Sequence, residues 1–132
     1  MSRIETRESV VFFVYQNEFR IESIDEQIAL YLEVNPELED DKEYFVNTAK
    51  GILLNRETID EQISKFLKKW TVSRLPKLDR AILETAVFEI TSAPDIPTSV
   101  AINEAVRLAK KYGTSDSPSY INGVLSSFEK SL

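Results

Sequence analysis

Basic side chains in two stretches of the sequence are suited to bind an anion. Arg3 and Arg7 are four positions apart in a predicted helix, so they lie side by side on one of its faces. The stretch from Lys65 to Arg80 holds six basic residues and a single acid, Asp79. Phosphates can be held at either place. A structural explanation is also open, because the arginines can pair with Glu8 or another acid and the helix dipole favours lysines at a helix end.

One aromatic ring and two carboxylates add further candidate chemistry. Tyr120 lies beside the apolar stripe of the last predicted helix, so its ring is expected to be half exposed. A nucleobase stacked on such a ring gains roughly 1–3 kcal/mol, although the ring can equally pack on a neighbouring helix. Asp79 and Asp116 lie near predicted helix starts, where capping and the helix dipole are the ordinary explanation for a carboxylate.

Catalytic chemistry is poorly represented in the sequence. The chain has no cysteine and no histidine, which removes thiol catalysis, histidine acid–base catalysis and the usual zinc sites. The remaining carboxylates, tyrosines and lysines form no recognisable catalytic motif, and a glycine-rich phosphate loop is missing. We therefore predict a protein that is not an enzyme and that needs no cofactor and no metal.

Charge is divided unevenly between the halves of the chain. The formal net charge is −6 at pH 7, which by itself argues against a nucleic-acid partner. Residues 1–66 hold seven basic and fifteen acidic side chains, a net charge of −8, whereas residues 67–132 hold nine and seven, a net charge of +2. The net positive charge of residues 67–132 is therefore compatible with contacts to phosphates.

Composition predicts the kind of elements that position these side chains. Of 132 residues, 42% are apolar and only three are glycine, and the alternation of β-branched residues that is typical of strands is absent. We predict an all-α protein with one domain over residues 1–132. The longest apolar run, 10–15, is too short to span a bilayer, and a signal-peptide pattern is absent, so a cytoplasmic location is expected.

Apolar periodicity predicts four helices in the first half of the chain, over residues 3–19, 24–34, 41–55 and 58–70. Ser23 and Glu26 have the spacing of a capping box at the start of the second helix. Gly51, within the third helix, indicates the close approach of the backbone of another helix. Trp70 continues the inward stripe of the fourth helix, so it is predicted as a core anchor rather than as a stacking platform.

Three further helices are predicted in the second half. Residues 78–90 are apolar on nearly all sides, which is typical of a buried central helix. The next helix begins near Pro97 and ends before Gly113, where a left-handed cap is expected. Ser117 is predicted as the N-cap of the last helix, with the following proline at its first position.

An ordered run of motifs in this second half resembles a known family. The segment DIPTSVAINEAVRLAKKYG is followed by TSDSPSYINGVL and preceded by LDRAIL, and together they resemble the C-terminal half of the NusB family of bacterial antitermination factors. The resemblance implies two packed helical bundles, of four and three helices. It also implies a function: binding the boxA element of nascent ribosomal RNA leaders together with NusE, a ribosomal small-subunit protein, and joining NusA, NusG and RNA polymerase.

The same resemblance implies candidate RNA contacts at seven positions of this chain: Arg3, Arg7, Lys77, Asp79, Arg80, Asp116 and Tyr120. The basic residues would hold phosphates, Tyr120 would stack a base, and Asp79 would accept a hydrogen bond from a base amino group. The chain departs from the family pattern at three positions: Ile4 and Glu5 stand where further basic residues are usual, and Phe12 stands where glutamine is usual. These departures weaken the electrostatic share of the expected RNA affinity.

Two other functions are open from the sequence. The departures in the first helix are compatible with a helical protein-interaction module whose RNA binding is weak or lost. Related helical domains also precede the catalytic domains of rRNA cytosine methyltransferases, so the chain is alternatively expected to be the RNA-binding partner of such an rRNA methyltransferase. A steep fall of RNA affinity with salt would indicate phosphate contacts and argue against the interaction module.

Overall fold

Seven α-helices and two short 3-10 helices form the protein in a computed structural model that describes residues 1–132. The α-helices are α1 (Arg3–Asn17), α2 (Ile24–Val34), α3 (Lys42–Leu54), α4 (Arg56–Ser64), α5 (Lys77–Ser92), α6 (Thr98–Tyr112) and α7 (Ser117–Lys130). The 3-10 helices cover Pro36–Asp41 and Val72–Arg74. The predicted all-α class and number of helices are confirmed. No helix has the length and continuous apolarity that crossing a membrane requires.

Helix α5 is the central element of the fold. It packs against α1, α3, α4, α6 and α7. Its side chains are buried on nearly every side, as the sequence predicted, and Ala81, Ile82 and Leu83 are among the least exposed residues of the core. Helices α1–α4 form one bundle and α5–α7 form the other. The two bundles share one hydrophobic core because α5 contacts helices of both.

Helices α1 and α5 run antiparallel. Arg7, near the start of α1, contacts Glu89 near the end of α5, whereas Glu18, just after α1, contacts Lys77 at the start of α5. With a rise of about 1.5 Å per residue, Glu89 and Asp79 are separated by about 15 Å along the helix axis. Arg3 and Arg7, the predicted phosphate contacts at the start of α1, therefore lie at the opposite end of α5 from Asp79.

Helix α4 ends earlier than predicted, and Trp70 is not a core residue. The helix stops at Ser64, whose hydroxyl donates to the Glu61 carbonyl at 2.7 Å, and the chain then turns through Phe66. Phe66 packs edge-to-face on Phe128, with ring centroids 5.8 Å apart. Because this turn takes the chain out of the helical stripe, Trp70 lies at the surface and is 50% exposed.

Most other helix boundaries agree with the sequence, with two local corrections. Ser23 caps α2 by accepting a hydrogen bond from the Glu26 amide, as predicted. Gly113 is extended, with φ −88° and ψ −169°, and not left-handed. Ser117 is the first residue of α7 and not its N-cap, because its hydroxyl is bonded to the preceding loop and to α5.

Candidate functional site

Three carboxylates of α5 are buried, at intervals of five residues along the helix. Asp79 is 5% exposed, Glu84 is 0% exposed and Glu89 is 1% exposed. Removing a carboxylate from water costs free energy unless cations or hydrogen-bond donors replace the water. The partners of each carboxylate therefore distinguish groups that hold the fold together from a group that is still able to bind a ligand.

The carboxylate of Glu89 is neutralised by Arg7. The Nε and Nη2 atoms of Arg7 donate to Glu89 at 2.7 and 3.1 Å, and a Glu104 oxygen lies 3.9 Å from Nη1. Bidentate pairs of this kind are the strongest that arginine makes. Arg7 itself is only 4% exposed. The sequence predicted Arg7 as a phosphate contact, but the structure places its guanidinium inside the protein, where a phosphate has no access to it.

Arg3 is exposed, but its guanidinium is also engaged. It donates to Asp41 through Nε and Nη2, at 2.8 and 3.2 Å, and lies 4.0 Å from the centroid of the Tyr44 ring. Glu5, one of the departures from the family pattern, forms a capping box with Ser2 and so closes the first turn of α1. Arg3 is therefore the one exposed arginine of α1, and a surface ion pair competes for it.

The middle carboxylate, Glu84, lies between two arginines. Arg56 donates to it at 2.8 and 3.0 Å, and the Nε atom of Arg80 is 3.5 Å away. Arg80 also pairs with Asp60 at 2.7 Å and with Glu18 at 3.1 Å. Arg80 was predicted as a phosphate contact, but in the structure three carboxylates surround it. Its charge is balanced within the protein.

Lys77 is more accessible than Arg80 at this end of α5. Its side chain is 46% exposed, and its ammonium lies 3.4 Å from the Glu18 carboxylate. The same ammonium is 6.0 Å from the centroid of the exposed Phe19 ring. Exposed ion pairs at such distances contribute little to stability. Lys77 is therefore able to turn toward a phosphate at small cost.

Asp79 differs from the other two buried carboxylates because no arginine or lysine pairs with it. Its one hydrogen bond comes from the Ser117 hydroxyl, which donates to Oδ2 at 3.0 Å. Burial raises the pKa of the Asp79 carboxyl, and the hydrogen bond from Ser117 only partly opposes this rise. A buried carboxylate that retains free acceptor capacity and has no cation is typical of a binding site.

The residues around Asp79 form a small cleft between the start of α5 and the start of α7. We call this cavity of about 170 Å³ the α5 cleft; its polar and aromatic lining is contributed by Asp79, Asp116, Ser117, Tyr120, Trp70 and Thr114. The hydroxyl of Tyr120 is buried without a hydrogen-bond partner. Its pKa is raised, first by this burial and second by the negative charge of the nearby Asp79 carboxylate. Aromatic rings beside a carboxylate suit a planar ligand with an amino group.

The turn between α6 and α7 positions this cleft. A Cβ on Gly113 would lie 2.7 Å from the Ser117 side chain. Glycine is therefore required at this position for the turn to pass this close to α7. The Thr114 amide donates to the Ser117 hydroxyl at 3.0 Å, and that hydroxyl in turn donates to Asp79. Ser117 therefore couples the turn to α5. Asp116 occupies the cap position of α7, but its exposed side chain makes no capping hydrogen bond.

The structure separates the seven predicted site residues into two groups. Asp79, Asp116 and Tyr120 line one cleft, and Lys77 and Arg80 lie at the same end of α5. Arg3 and Arg7 lie at the other end. Sequence reasoning missed Ser117 and Trp70 as members of the cleft. Helical periodicity that continues past Ser64 hid the exposed position of Trp70, and nothing local connects Ser117 with Asp79, which is 38 positions away.

Comparisons with known proteins agree with this architecture. The model of the NusB family matches residues 4–130. The transcription antitermination protein NusB of Acetivibrio thermocellus is 46% identical over 125 residues, which cover 95% of this chain and 86% of that protein. The solved structure of T. maritima NusB is 34% identical, with a TM-score of 0.88, and the match covers 98% of this chain and 92% of that one.

A further solved structure contains the antitermination factors NusB and NusE in complex with double-stranded RNA. The matching chain is 25% identical, with a TM-score of 0.86, and the match covers 100% of both chains. The fold consists of two joined helical bundles with an acidic and aromatic cleft between the starts of α5 and α7. The chain belongs to the NusB family, as its motifs predicted. This is a family of antitermination factors and not of enzymes, so the prediction that the chain is not an enzyme is confirmed.

Proposed function

We propose that this protein is a transcription antitermination factor that binds boxA-type single-stranded RNA of ribosomal RNA leaders together with NusE. The observation that carries the proposal is the α5 cleft, where the buried carboxylate of Asp79 has no cation and adjoins the Tyr120 ring. Membership of the NusB family supports the biological role. The similar chain solved with NusE and RNA supports both kinds of partner.

Base recognition in this proposal belongs to the α5 cleft. Tyr120 stacks a base that is turned out of the strand, since unstacked bases are what single-stranded RNA offers a protein. Asp79 accepts a hydrogen bond from an amino group on that base. Asp116, at the exposed edge of the cleft, repels phosphates and so favours the orientation in which the base and not the backbone enters.

Phosphate contacts in this proposal come mainly from exposed cations. Lys77 holds a phosphate next to the α5 cleft by giving up its weak contact with Glu18. Arg3 reaches only an RNA long enough to extend along α1, and it must exchange Asp41 for a phosphate. Arg7 and Arg80, whose charges are balanced inside the protein, position α1 and α5 for the exposed contacts.

The wider assembly follows from the family role. In the proposal, residues 1–132 act as one RNA-binding unit, and the complex with RNA and NusE joins NusA, NusG and RNA polymerase to resist termination in the cytoplasm. Neither a cofactor nor a metal takes part. The protein is thus a scaffold that contributes binding surfaces to the elongation complex.

Fluorescence anisotropy of a labelled boxA RNA tests this function. The RNA is titrated with the protein alone and with NusE, each at two salt concentrations. We expect weak binding alone, tighter binding with NusE, and lower affinity at the higher salt concentration, because phosphate contacts release counterions. A scrambled RNA of the same length is the control. A folded protein that binds neither RNA under any of these conditions would refute the proposal.

A second candidate function is a protein-interaction module without RNA binding. It is favoured by one observation, the loss of positive charge at the start of α1, where Arg7 is buried against Glu89 and Glu5 caps the helix. This function predicts that NusE binds the protein normally while the boxA RNA adds nothing to the complex. The same titration distinguishes the two functions.

A further inference from the structure

Tyr120 lines a second cavity besides the α5 cleft. This cavity, which we call the α7 groove, has a volume of about 280 Å³ and lies between α7 and the turn after α4. Its lining includes Phe66 and Lys68 from the turn and Tyr120, Gly123 and Ser127 from α7. A ligand that stacks on Tyr120 in the α5 cleft therefore has a second, larger cavity directly beside it.

The two cavities differ in charge. The α5 cleft is lined by two carboxylates, Asp79 and Asp116, and by no basic residue. The α7 groove is lined by Lys68 and by no acidic residue, and the adjacent Lys65 and Lys69 are exposed. A phosphate is therefore favoured in the α7 groove and disfavoured in the α5 cleft, which accepts an amino group instead.

Gly123 is the one glycine of the chain that packing does not explain. A Cβ on Gly51 would overlap the Phe88 ring, so a side chain of α5 fills that space and not the helix backbone that was predicted, and a Cβ on Gly113 would collide with Ser117. A Cβ on Gly123 would meet nothing within 4 Å. Glycine destabilises a helix interior relative to alanine, so an unpacked helical glycine that lines a cavity indicates room kept for a ligand.

The positions on α7 form one continuous surface. Tyr120, Gly123 and Ser127 follow the i, i+3, i+7 spacing and share a face of the helix. With a rise of about 1.5 Å per residue, they extend about 10 Å along α7, away from the α5 cleft. An RNA strand that stacks one base on Tyr120 can continue along α7 over Gly123, because no side chain blocks its path there.

We propose that the α7 groove binds the nucleotide adjacent to the one held in the α5 cleft, with its base or sugar over Gly123 and its phosphate on Lys68. This inference rests on the proposed RNA-binding function and extends it by a second subsite. A bound RNA then has a defined path, from the acidic cleft across Tyr120 to the basic groove. Nucleotides on this path determine affinity more than those farther away.

Filling the groove tests the proposal. Gly123→Leu projects a side chain into the cavity from a position where a Cβ meets nothing within 4 Å, and Gly123→Ala fills less of the same space. Asn122→Leu adds the same leucine at the neighbouring exposed position, outside the lining of the groove. By anisotropy with labelled boxA RNA and NusE, we expect Gly123→Leu to lower affinity about tenfold, Gly123→Ala to lie between Gly123→Leu and wild type, and the control Asn122→Leu to stay within about twofold of wild type.

A charge variant tests the phosphate contact independently of shape. Lys68→Gln should reduce the slope of log affinity against log salt concentration by about 0.7, the value for one phosphate contact on a single strand. Circular dichroism melting of each variant confirms that it is folded. Unchanged affinity of Gly123→Leu, together with weakened binding by Tyr120→Ala, would overturn the α7 groove proposal and leave the proposed function intact.

Two further outcomes are also decisive. If Gly123→Leu lowers affinity for NusE alone and leaves RNA binding unchanged, the groove is a protein contact and the proposal is wrong. If the wild-type protein with NusE binds no boxA RNA, the proposed function fails, and the second subsite fails with it. Loss of RNA affinity in Gly123→Leu and a smaller salt slope in Lys68→Gln together would support the proposal.

Discussion

At the C-terminal end of α5, the buried carboxylate of Glu89 accepts two hydrogen bonds from the Arg7 guanidinium. At the N-terminal end, the buried carboxylate of Asp79 accepts a single hydrogen bond, from the Ser117 hydroxyl. The first arrangement is closed: the charges are matched and solvent is excluded. The second leaves acceptor capacity directed at a cavity with aromatic walls. A buried carboxylate on one helix thus serves the fold at one end and, in our proposal, the ligand at the other.

A basic residue near the start of the chain can also belong to the closed arrangement and be unable to reach a ligand. Arg7 was predicted as a phosphate contact, but it completes the core by neutralising Glu89. The predicted cations that remain exposed are Arg3, which forms a bidentate pair with Asp41 at the surface, and Lys77, whose contact with Glu18 is weak. RNA affinity in this protein is therefore expected to depend on stacking and base contacts more than on the number of arginines.

The largest expected effect is on stability, at the closed end of α5. Arg7→Met leaves Glu89 buried without its cation, which should lower the free energy of unfolding by roughly 3–5 kcal/mol. The double variant Arg7→Met/Glu89→Met removes both charges and should recover most of this loss. Urea unfolding followed by circular dichroism measures both. Equal destabilisation of the single and double variants would show that charge balance is not what Arg7 supplies.

The next effect is on binding, at the open end. Tyr120→Ala should weaken boxA RNA binding by roughly 1–3 kcal/mol, because the stacking platform is removed. Tyr120→Phe, which keeps the ring and removes a hydroxyl that has no partner in the protein, serves as the matched control and should bind nearly as wild type. Anisotropy in the presence of NusE measures both. Equal affinities of the alanine variant and the wild type would remove the stacking role.

A smaller effect is expected for Asp79→Asn, with opposite signs for binding and stability. Loss of the charge should weaken RNA binding by about 1 kcal/mol, the difference between a charged and a neutral hydrogen-bond acceptor. Because burial raises the pKa of Asp79 in the folded protein, the ionised carboxylate destabilises the fold at neutral pH. The variant should therefore be at least as stable as wild type at pH 7.

The pH dependence of this stability difference checks its sign. Below the carboxyl's unfolded pKa, about 4, Asp79 is neutral in both states, and wild type and Asp79→Asn should have similar stabilities. As the pH rises through the raised pKa of the folded state, wild type should lose stability relative to the variant. Thermal melts between pH 4 and pH 7 record this difference. A variant that is less stable than wild type at pH 7 would contradict the assignment of an unpaired buried charge.

The smallest expected effect is on salt dependence. Lys77→Gln should reduce the slope of log affinity against log salt by about 0.7, with only a small change in affinity at physiological salt. Arg3→Gln is the comparison at the other end of α5 and should leave the slope unchanged for an RNA that only covers the α5 cleft. A larger change in slope for Arg3→Gln than for Lys77→Gln would place the backbone along the start of α1.

Much of the fold could be predicted from local patterns, and less of the site. The all-round apolarity of residues 78–90 identified α5 as the buried central helix, because burial follows directly from which faces of a helix are apolar. Trp70 was misplaced because helical periodicity continues past Ser64 in the sequence, while the turn at Phe66 ends the helix. Periodicity does not reveal where a helix stops when no proline or glycine marks the end.

The site depended on pairings between distant residues. Arg7 and Glu89 are 82 positions apart, and Asp79 and Ser117 are 38 positions apart, so no local pattern connects them. The motifs at Asp79, Asp116 and Tyr120 named residues that line one cleft because a family pattern already reflects the three-dimensional arrangement. Gly123 could not be interpreted from the sequence, since only the structure shows that its missing side chain faces a cavity and no packed neighbour.

The most direct test is an NMR titration of the ¹⁵N-labelled protein with boxA RNA in the presence of unlabelled NusE, compared with NusE alone. The difference between the two spectra maps the RNA on the protein. We predict that the largest additional shifts occur in residues 75–80 and 114–124, around Asp79 and Tyr120. If they instead occur in residues 41–47 and 89–96, beside Arg3 and Arg7, the RNA lies at the closed end of α5 and the account is wrong.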